Sequence, residues 1–182
     1  MARKLHDARQ ISEFLERLGL CYRFPGAVYL VGGASLLLLA AKESTFDIDL
    51  KFEVAPERHS EFIRCLRQLS AEMELAVEQA SPDEFLPLPD GYEDRRRYVG
   101  RYGNLQVFHF DLYSVALAKL ERGNEKDLVD VIQMVRTGLI ELQALERYFQ
   151  EIFPRLEDYS LRTDPHDFER KVGLFKRRLA KP

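Results

Sequence analysis

The chain has few of the features that mark a disulfide scaffold or a membrane protein. Its two cysteines, Cys21 and Cys65, are too few and too scattered among 182 residues for a disulfide framework or a CxxC metal site. This scarcity favours a reducing compartment. The longest apolar run, 34–41, is far too short to span a bilayer, and the opening residues MARKLHDARQ lack the apolar core of a signal peptide. These absences predict a cytoplasmic protein with no membrane partner.

An excess of positive charge is also missing. The chain has 27 Lys and Arg against 30 Asp and Glu, for a net charge of −3 at pH 7. Any contact with nucleic acid must therefore come from a local patch. The segment 162–182, with seven Lys and Arg against three acids, can touch tRNA or another nucleic acid through its backbone. A basic terminal helix is also common without that role. The arginines of 95–97 either grip an acceptor phosphate or, because they stand beside two acids, form a solvated face.

The order of predicted elements changes character along the chain. Helical spacing of apolar residues alternates with strand-like runs up to residue 113, and after it only helical periodicity remains. We therefore expect an α/β core over 1–113 and an α-helical region over 114–182 packed on that core. The predicted helices are 5–20, 34–42, 56–73, 114–122, 125–137, 140–153 and 165–180, and the predicted strands are 28–31, 46–54, 75–80, 98–102 and 105–112.

Two acids on one strand stand out within the core. Asp47 and Asp49 lie two residues apart on the predicted strand 46–54, so their carboxylates point to the same face. Neighbouring carboxylates repel each other and are costly to desolvate, and a divalent cation relieves both problems. Mg²⁺ typically takes one or two carboxylates and keeps other positions for water and substrate phosphates. The pair therefore predicts a magnesium site, unless the acids are simply solvent-facing.

A diglycine precedes this strand. Gly32 and Gly33 follow the predicted strand 28–31 and stand before the predicted helix 34–42. Glycine lets a phosphate approach the backbone closely, and N–H groups at the start of a following helix can receive that phosphate.

The combination resembles the nucleotidyltransferase superfamily of the polymerase-beta type. Its signature is an apolar residue, Gly-Gly or Gly-Ser, about a dozen residues, and then Asp-x-Asp between apolar residues. The resemblance implies an α+β fold, in which a polymerase-beta-like mixed sheet flanked by helices is followed by an α-helical C-terminal half. It implies Mg²⁺-dependent transfer of a nucleoside monophosphate from an NTP such as ATP. Gly32, Gly33 and Ser35 would bind the triphosphate, and Asp47 and Asp49 would bind the metal.

Sites of this type usually add a third carboxylate from a neighbouring strand, and Asp111 is the best candidate by position. It shares one face of the predicted strand 105–112 with Val107 and His109. In this role Asp111 would complete the metal site and act as general base on the acceptor hydroxyl. The alternative is that Asp111 caps the helix predicted to begin at Ser114.

The run ALAKLERG followed by KDLVD, within 116–130, resembles small bacterial nucleotidyltransferases of abortive-infection and toxin–antitoxin systems. The resemblance implies that Lys119 contacts nucleotide phosphates and makes Lys126, Asp127 and Asp130 further site candidates. It also implies an antitoxin protein as a partner. The alternatives are a lysine that reaches out from a packed helix and acids favoured by the dipole of a helix N-terminus.

The acceptor is left open by the sequence: a tRNA 3′ end, a protein hydroxyl and a small molecule all remain. The rival function is a non-catalytic nucleotide-binding or interaction protein that keeps the nucleotidyltransferase fold. A more distant alternative is an α/β scaffold in which the Asp-x-Asp is incidental.

Overall fold

The computed structural model describes residues 5–159 and 163–181, which fall into two units. The first unit comprises the described residues up to Ser81 together with Arg96–Phe110. The second unit comprises Pro82–Arg95 together with the described residues from Asp111 onward. The predicted core, 1–113, contained Pro82–Arg95, whereas the structure groups this segment with the second unit.

The first unit is built on a mixed sheet whose strand order is β3-β2-β1-β5-β4. β1 pairs antiparallel with β2 and parallel with β5, whereas β2–β3 is parallel and β4–β5 is antiparallel. The predicted α+β class, with a mixed sheet flanked by helices and a helical C-terminal part, is therefore confirmed. The strands are β1 (Gly26–Leu30), β2 (Asp47–Val54), β3 (Ala76–Gln79), β4 (Arg97–Tyr102) and β5 (Leu105–His109).

Three helices belong to the first unit: α1 (Ala8–Cys21), α2 (Gly32–Leu38) and α3 (His59–Met73). The core of this unit joins α1 and α3 to one face of the sheet. Its fully buried members are Ile11, Phe14 and Leu18 of α1, Phe62 of α3, and Val28, Leu30, Ile48, Leu50, Leu105 and Val107 of the strands. Because side chains alternate along a strand, the other face of the sheet carries Asp47 and Asp49, and burial along β2 alternates accordingly.

Cys21 and Cys65 form a disulfide, which the sequence interpretation did not expect. They are 44 residues apart in the chain, but α1 and α3 contribute to the same core, and this brings the end of α1 to the middle of α3. The scarcity of cysteine therefore gives no support to a reducing compartment. Separately, none of the helices in the described part of the chain combines the length and apolar character needed to cross a bilayer.

The second unit is helical within its described residues. A 3₁₀ turn at Pro82–Glu84 precedes α4 (Leu112–Arg122), α5 (Glu125–Arg136), α6 (Leu142–Ile152), α7 (Leu156–Tyr159) and α8 (Pro165–Leu179). Asp164 caps α8, since its side chain accepts hydrogen bonds from the N–H groups of His166 and Asp167. Of the basic segment 162–182, Arg162 and Pro182 lie outside the described residues.

The structure corrects the junction between β5 and α4. The predicted strand extended to residue 112, but β5 ends at His109 and α4 begins at Leu112. The N-cap is Asp111 rather than Ser114, because the Asp111 carboxylate accepts hydrogen bonds from the N–H groups of Tyr113 and Ser114. The alternation Val107, His109, Asp111 continued past the end of the strand, and this misled the prediction.

Candidate functional site

The backbone at Gly32 lies directly against the carboxylate of Asp49. Gly32 begins α2 with a φ of +54°, in the left-handed region that glycine adopts readily. The preceding N–H, of Val31, donates to the carbonyl oxygen of Asp49 at 2.9 Å and fixes this backbone beside β2. A β-carbon on Gly32 would lie only 2.1 Å from Asp49 Oδ2. Any side chain here would therefore displace either the turn or the carboxylate.

Gly33 makes a second close approach to the same segment, through Thr45. A β-carbon on Gly33 would lie 2.2 Å from Thr45 Oγ1. The buried Thr45 hydroxyl in turn donates to the carbonyl oxygen of Asp47 at 3.2 Å and reaches Asp47 Oδ1 at 3.4 Å. Each glycine is thus linked to one of the two acids. Sequence reasoning missed Thr45, although a hydroxyl two residues ahead of the first acid was a readable signal.

Ser35, predicted to bind nucleotide, is held by His109 at the end of β5. Ser35 Oγ and His109 Nδ1 are joined by a hydrogen bond of 2.9 Å, and both side chains are buried. Burial, with a smaller contribution from the charge of Arg97, lowers the pKa of His109 to about 4. The imidazole is therefore neutral at physiological pH. The sequence analysis gives His109 no role in the site, and its partnership with Ser35 was not foreseen.

The two acids of β2 fit Mg²⁺ by their chemistry. Asp47 and Asp49 are both partly exposed, and carboxylate oxygens are the ligands that this hard cation prefers. Over residues 5–159 and 163–181, no group of three or more His, Cys, Asp or Glu side chains is placed to hold a metal ion. A pair suffices for Mg²⁺ when water and substrate phosphates supply the remaining ligands. The site therefore suits an ion that arrives with a phosphorylated substrate.

In the second unit, Asp111 is completely buried and bound to Arg95. Arg95 donates from Nε to Oδ1 and from Nη2 to Oδ2, each at 3.1 Å. Ser114 donates to Oδ2 from its hydroxyl at 2.7 Å, and backbone N–H groups add further hydrogen bonds. Burial alone would lower the pKa of Arg95, but its hydrogen bond to Asp111 and the charge of Asp111 outweigh burial and raise it. These contacts stabilise Asp111 as a charged helix cap.

Lys119, Asp127 and Asp130 come together inside the second unit. Lys119 Nζ donates to Asp127 Oδ1 at 3.1 Å and to Asp130 Oδ2 at 2.7 Å, and all three side chains are buried. Arg122 adds two hydrogen bonds to Asp127, at 2.8 and 3.0 Å. Two cations therefore face two carboxylates, and the cluster is balanced in charge.

The pKa of Asp127 reflects this balance. Burial alone would raise it, but the hydrogen bonds from Arg122 and the charges of Lys119 and Arg122 outweigh burial. The pKa of Asp127 is consequently lower than its ordinary value, and the carboxylate stays ionised at neutral pH.

Comparison with protein families decides the membership of the chain. The model of a family described as "Nucleotidyltransferase of unknown function (DUF6036)" matches residues 8–175. The chain belongs to this family. Searches of the curated proteins and of the solved structures find no match.

Membership supports the nucleotidyltransferase superfamily, and the observed α+β architecture is consistent with its polymerase-beta-like fold. The family description indicates nucleotidyltransferase activity without naming a substrate. The metal, nucleotide and catalytic roles assigned to individual residues stay predictions. Residues that sequence reasoning missed are Thr45 and His109 beside the predicted site of the first unit, and Arg95 and Arg122 beside the predicted acids of the second.

Proposed function

We propose that this protein transfers a nucleoside monophosphate from an Mg²⁺-bound NTP to an acceptor hydroxyl. The observation that carries the proposal is the contact of the Gly32 backbone with the Asp49 carboxylate, at the turn where the superfamily places a nucleotide. This contact requires glycine on one side and holds a partly exposed carboxylate against buried backbone on the other. An incidental Asp-x-Asp on a sheet face has no need of such an arrangement.

The site residues of the first unit would have distinct roles in the reaction. Asp47 and Asp49 would hold the metal, and the diglycine would allow the phosphates to approach the main chain. When bound, Mg²⁺ supplies charge neutralisation at the α-phosphoryl group and at the departing pyrophosphate. Ser35, held by His109, would fix the position of α2 behind the glycine turn.

The reaction exchanges one bond to phosphorus for another. The acceptor oxygen bonds to the α-phosphorus, the bond to the bridging oxygen breaks, and pyrophosphate leaves with the electron pair. The hydroxyl proton passes to a general base, the role predicted for Asp111. To accept that proton, Asp111 must give up one of the hydrogen bonds that it now accepts.

A non-catalytic nucleotide-binding protein is the second candidate, and the engagement of Asp111 with Arg95 favours it. Both carboxylate oxygens of Asp111 already accept hydrogen bonds, so an acceptor hydroxyl would have to displace one of these donors. The roles predicted for Lys119, Asp127 and Asp130 in nucleotide binding rest on resemblance, because their geometry already satisfies each charge. A toxin-like role with an antitoxin partner rests on the same resemblance.

The test is label transfer from each α-labelled NTP, with Mg²⁺, into cellular RNA and protein. Wild type is compared with Asp47→Asn, which keeps the shape of the side chain and removes its charge. Glu61→Gln is the matched control, because Glu61 is also an acid of the first unit but lies on α3 and pairs with Arg58.

Label that enters macromolecules with wild type and Glu61→Gln, and not with Asp47→Asn, supports the transferase. Wild type that binds Mg²⁺-NTP without transferring label to any acceptor would establish the non-catalytic candidate. Equal transfer by wild type and Asp47→Asn would show that Asp47 does not bind a metal needed for the reaction.

A further inference from the structure

The hairpin formed by β4 and β5 concentrates positive charge in an acidic chain. Residues 96–110 contain three arginines and neither Asp nor Glu, although the whole chain has a net charge of −3. Arg97 and Arg101 are exposed. β4 is the outermost strand on this side of the sheet, so the hairpin forms its rim. A polyanion is the partner that this charge attracts.

A row of aromatic rings crosses the sheet from this rim. Tyr98 of β4 pairs with Phe108 of β5, and Phe108 pairs with Tyr29 of β1, so all three rings lie on one face. The ring centroids are 5.3 Å apart for Tyr98 and Phe108, and 5.7 Å for Phe108 and Tyr29. Tyr98 is 58% exposed, Phe108 is half-buried and Tyr29 is buried. An exposed tyrosine backed by a second ring offers a surface on which a planar base can stack.

The same row leads to the acids of β2. Tyr29 pairs with Lys51 across the strands, and Lys51 stands two residues from Asp49 on the same face. The guanidinium of Arg96 lies 4.3 Å from the centre of the buried Tyr29 ring and pairs with Glu53 of β2 at 4.0 Å. Three strand spacings of about 4.8 Å separate Tyr98 from Lys51, or roughly 14 Å. Sheet platforms that bind RNA stack two or three bases over a comparable row of aromatics.

We infer that this face binds the acceptor, and that the acceptor is a single-stranded RNA whose terminal hydroxyl reaches the carboxylates of β2. A base stacks on Tyr98, and phosphates lie beside Arg101, which shares this face of the hairpin. Gln106, exposed and opposite Arg101 on this face, has an amide that can both donate to and accept from a ribose 2′-hydroxyl. The inference rests on the proposed transferase function and names its acceptor class.

Edge protection and peptide binding are the two rival roles for the arginines of the hairpin. Charged side chains on an edge strand discourage sheet extension by a second molecule, and arginines also attract acidic peptides. Neither role requires an exposed tyrosine in edge-to-face contact with a second ring on the same face as the acids. The binding experiment separates all three roles.

The test is fluorescence anisotropy with a labelled oligouridine of about 12 nucleotides, within the range of known single-strand site sizes. It uses the full chain without NTP or Mg²⁺. We expect Tyr98→Ala to weaken binding roughly tenfold, as expected for the loss of one stacked base. Arg101→Ala should weaken binding several-fold and reduce the logarithmic salt slope by about 0.7. The controls are Tyr159→Ala and Arg64→Ala, since Tyr159 is 44% exposed and the Arg64 side chain 73% exposed elsewhere.

Unchanged affinity in both controls, with losses in both hairpin variants, supports the inference. Three results would overturn it: no binding by wild type, equal losses in the controls, or equal affinity for oligothymidine. Polyglutamate that competes as well as RNA at matched charge would instead assign the hairpin to acidic peptides. The binding experiment contains no NTP, so its result is independent of the transfer experiment with Asp47→Asn. Absence of RNA binding would contradict only the inferred acceptor, and absence of label transfer would contradict only the proposed reaction.

Discussion

Two pairs of acids were predicted as site residues, and the structure treats them differently. Asp47 and Asp49 lie on a sheet face, partly exposed, with the Gly32 backbone against one carboxylate. Asp127 and Asp130 are buried between helices, where Lys119 and Arg122 match their charges. The first pair is accessible to a cation from solvent. The second pair already has the partners that a nucleotide would otherwise provide.

The comparison shows how burial separates structural acids from acids that serve a ligand. A buried carboxylate is stable only with cations or hydrogen-bond donors beside it, so its environment must be complete in the folded chain. Partly exposed carboxylates remain accessible to a cation from solvent, which is the condition for a metal site. Removing a partner from the buried pair should therefore destabilise the fold, whereas removing a charge from the exposed pair should chiefly affect binding.

The largest expected effect is on activity, from Gly32→Ala. The new β-carbon would lie 2.1 Å from Asp49 Oδ2, so the turn or the carboxylate must move. A displacement of about 1 Å at a reacting centre can cost roughly 100-fold in rate. Gly138→Ala is the matched control, because Gly138 has a φ of +72° but no atom within 4 Å of its added β-carbon. It should lose about 1–2 kcal/mol of stability and no activity. Equal transfer rates in both variants would show that the Gly32 contact is unrelated to function.

The next effect is on stability, from Lys119→Met. The substitution leaves the buried carboxylates of Asp127 and Asp130 without their shared ammonium, at a cost of about 3–5 kcal/mol in the free energy of unfolding. Urea unfolding measures it, with the exposed Lys126→Met as control. Nucleotide affinity, measured while the variant is folded, should not change. A clear loss of nucleotide affinity in the folded variant would instead support the predicted contact of Lys119 with nucleotide phosphates.

A smaller effect is expected from the pair that links α2 to β5. Ser35→Ala and His109→Leu should each reduce the free energy of unfolding by about 1–2 kcal/mol, because each leaves a buried polar partner. The double variant should cost about 1 kcal/mol less than the sum. Ser35→Thr keeps the hydroxyl and serves as the control. Additive losses in the double-mutant cycle would mean that the 2.9 Å hydrogen bond contributes nothing.

The smallest effect is expected from Arg122→Gln. The Arg122 side chain is 43% exposed, so solvent screening limits its ion pair with Asp127 to about 0.5–1 kcal/mol at neutral pH. The pKa of Asp127 is lowered in the folded chain, so its stabilisation is present above the ordinary carboxyl pKa and is lost as pH falls through the lowered pKa. The difference between wild type and Arg122→Gln in urea unfolding should therefore shrink towards zero in acid. A difference that is constant with pH would point to lost packing instead of lost charge.

Local features of this fold could be read from the sequence. The strand that carries Asp47 and Asp49 begins only one residue later than predicted, because alternation of apolar and acidic residues is a local signal. The diglycine was also a local signal, because glycine readily adopts the positive φ found at Gly32. At the end of β5, however, the alternation continued into the N-cap of a helix, and the local pattern gave the wrong boundary.

Contacts between distant residues could not be read in this way. Ser35 and His109 are 74 residues apart and meet only because β5 lies parallel to β1, which leads directly into α2. The Cys21–Cys65 bridge likewise depends on the packing of α1 beside α3. Neither the order of strands in a sheet nor the packing of helices produces a periodic pattern in a single sequence. Both contacts could therefore be identified only from the structure.

The central claim is that the acids of β2 bind a metal together with a nucleotide. The most direct measurement is calorimetric titration of a non-hydrolysable NTP analogue, with and without Mg²⁺, into wild type and Asp49→Asn. We expect binding only with Mg²⁺ and a loss of roughly 100-fold or more in Asp49→Asn. Equal affinity in the two proteins, or wild-type binding that is indifferent to Mg²⁺, would contradict the account.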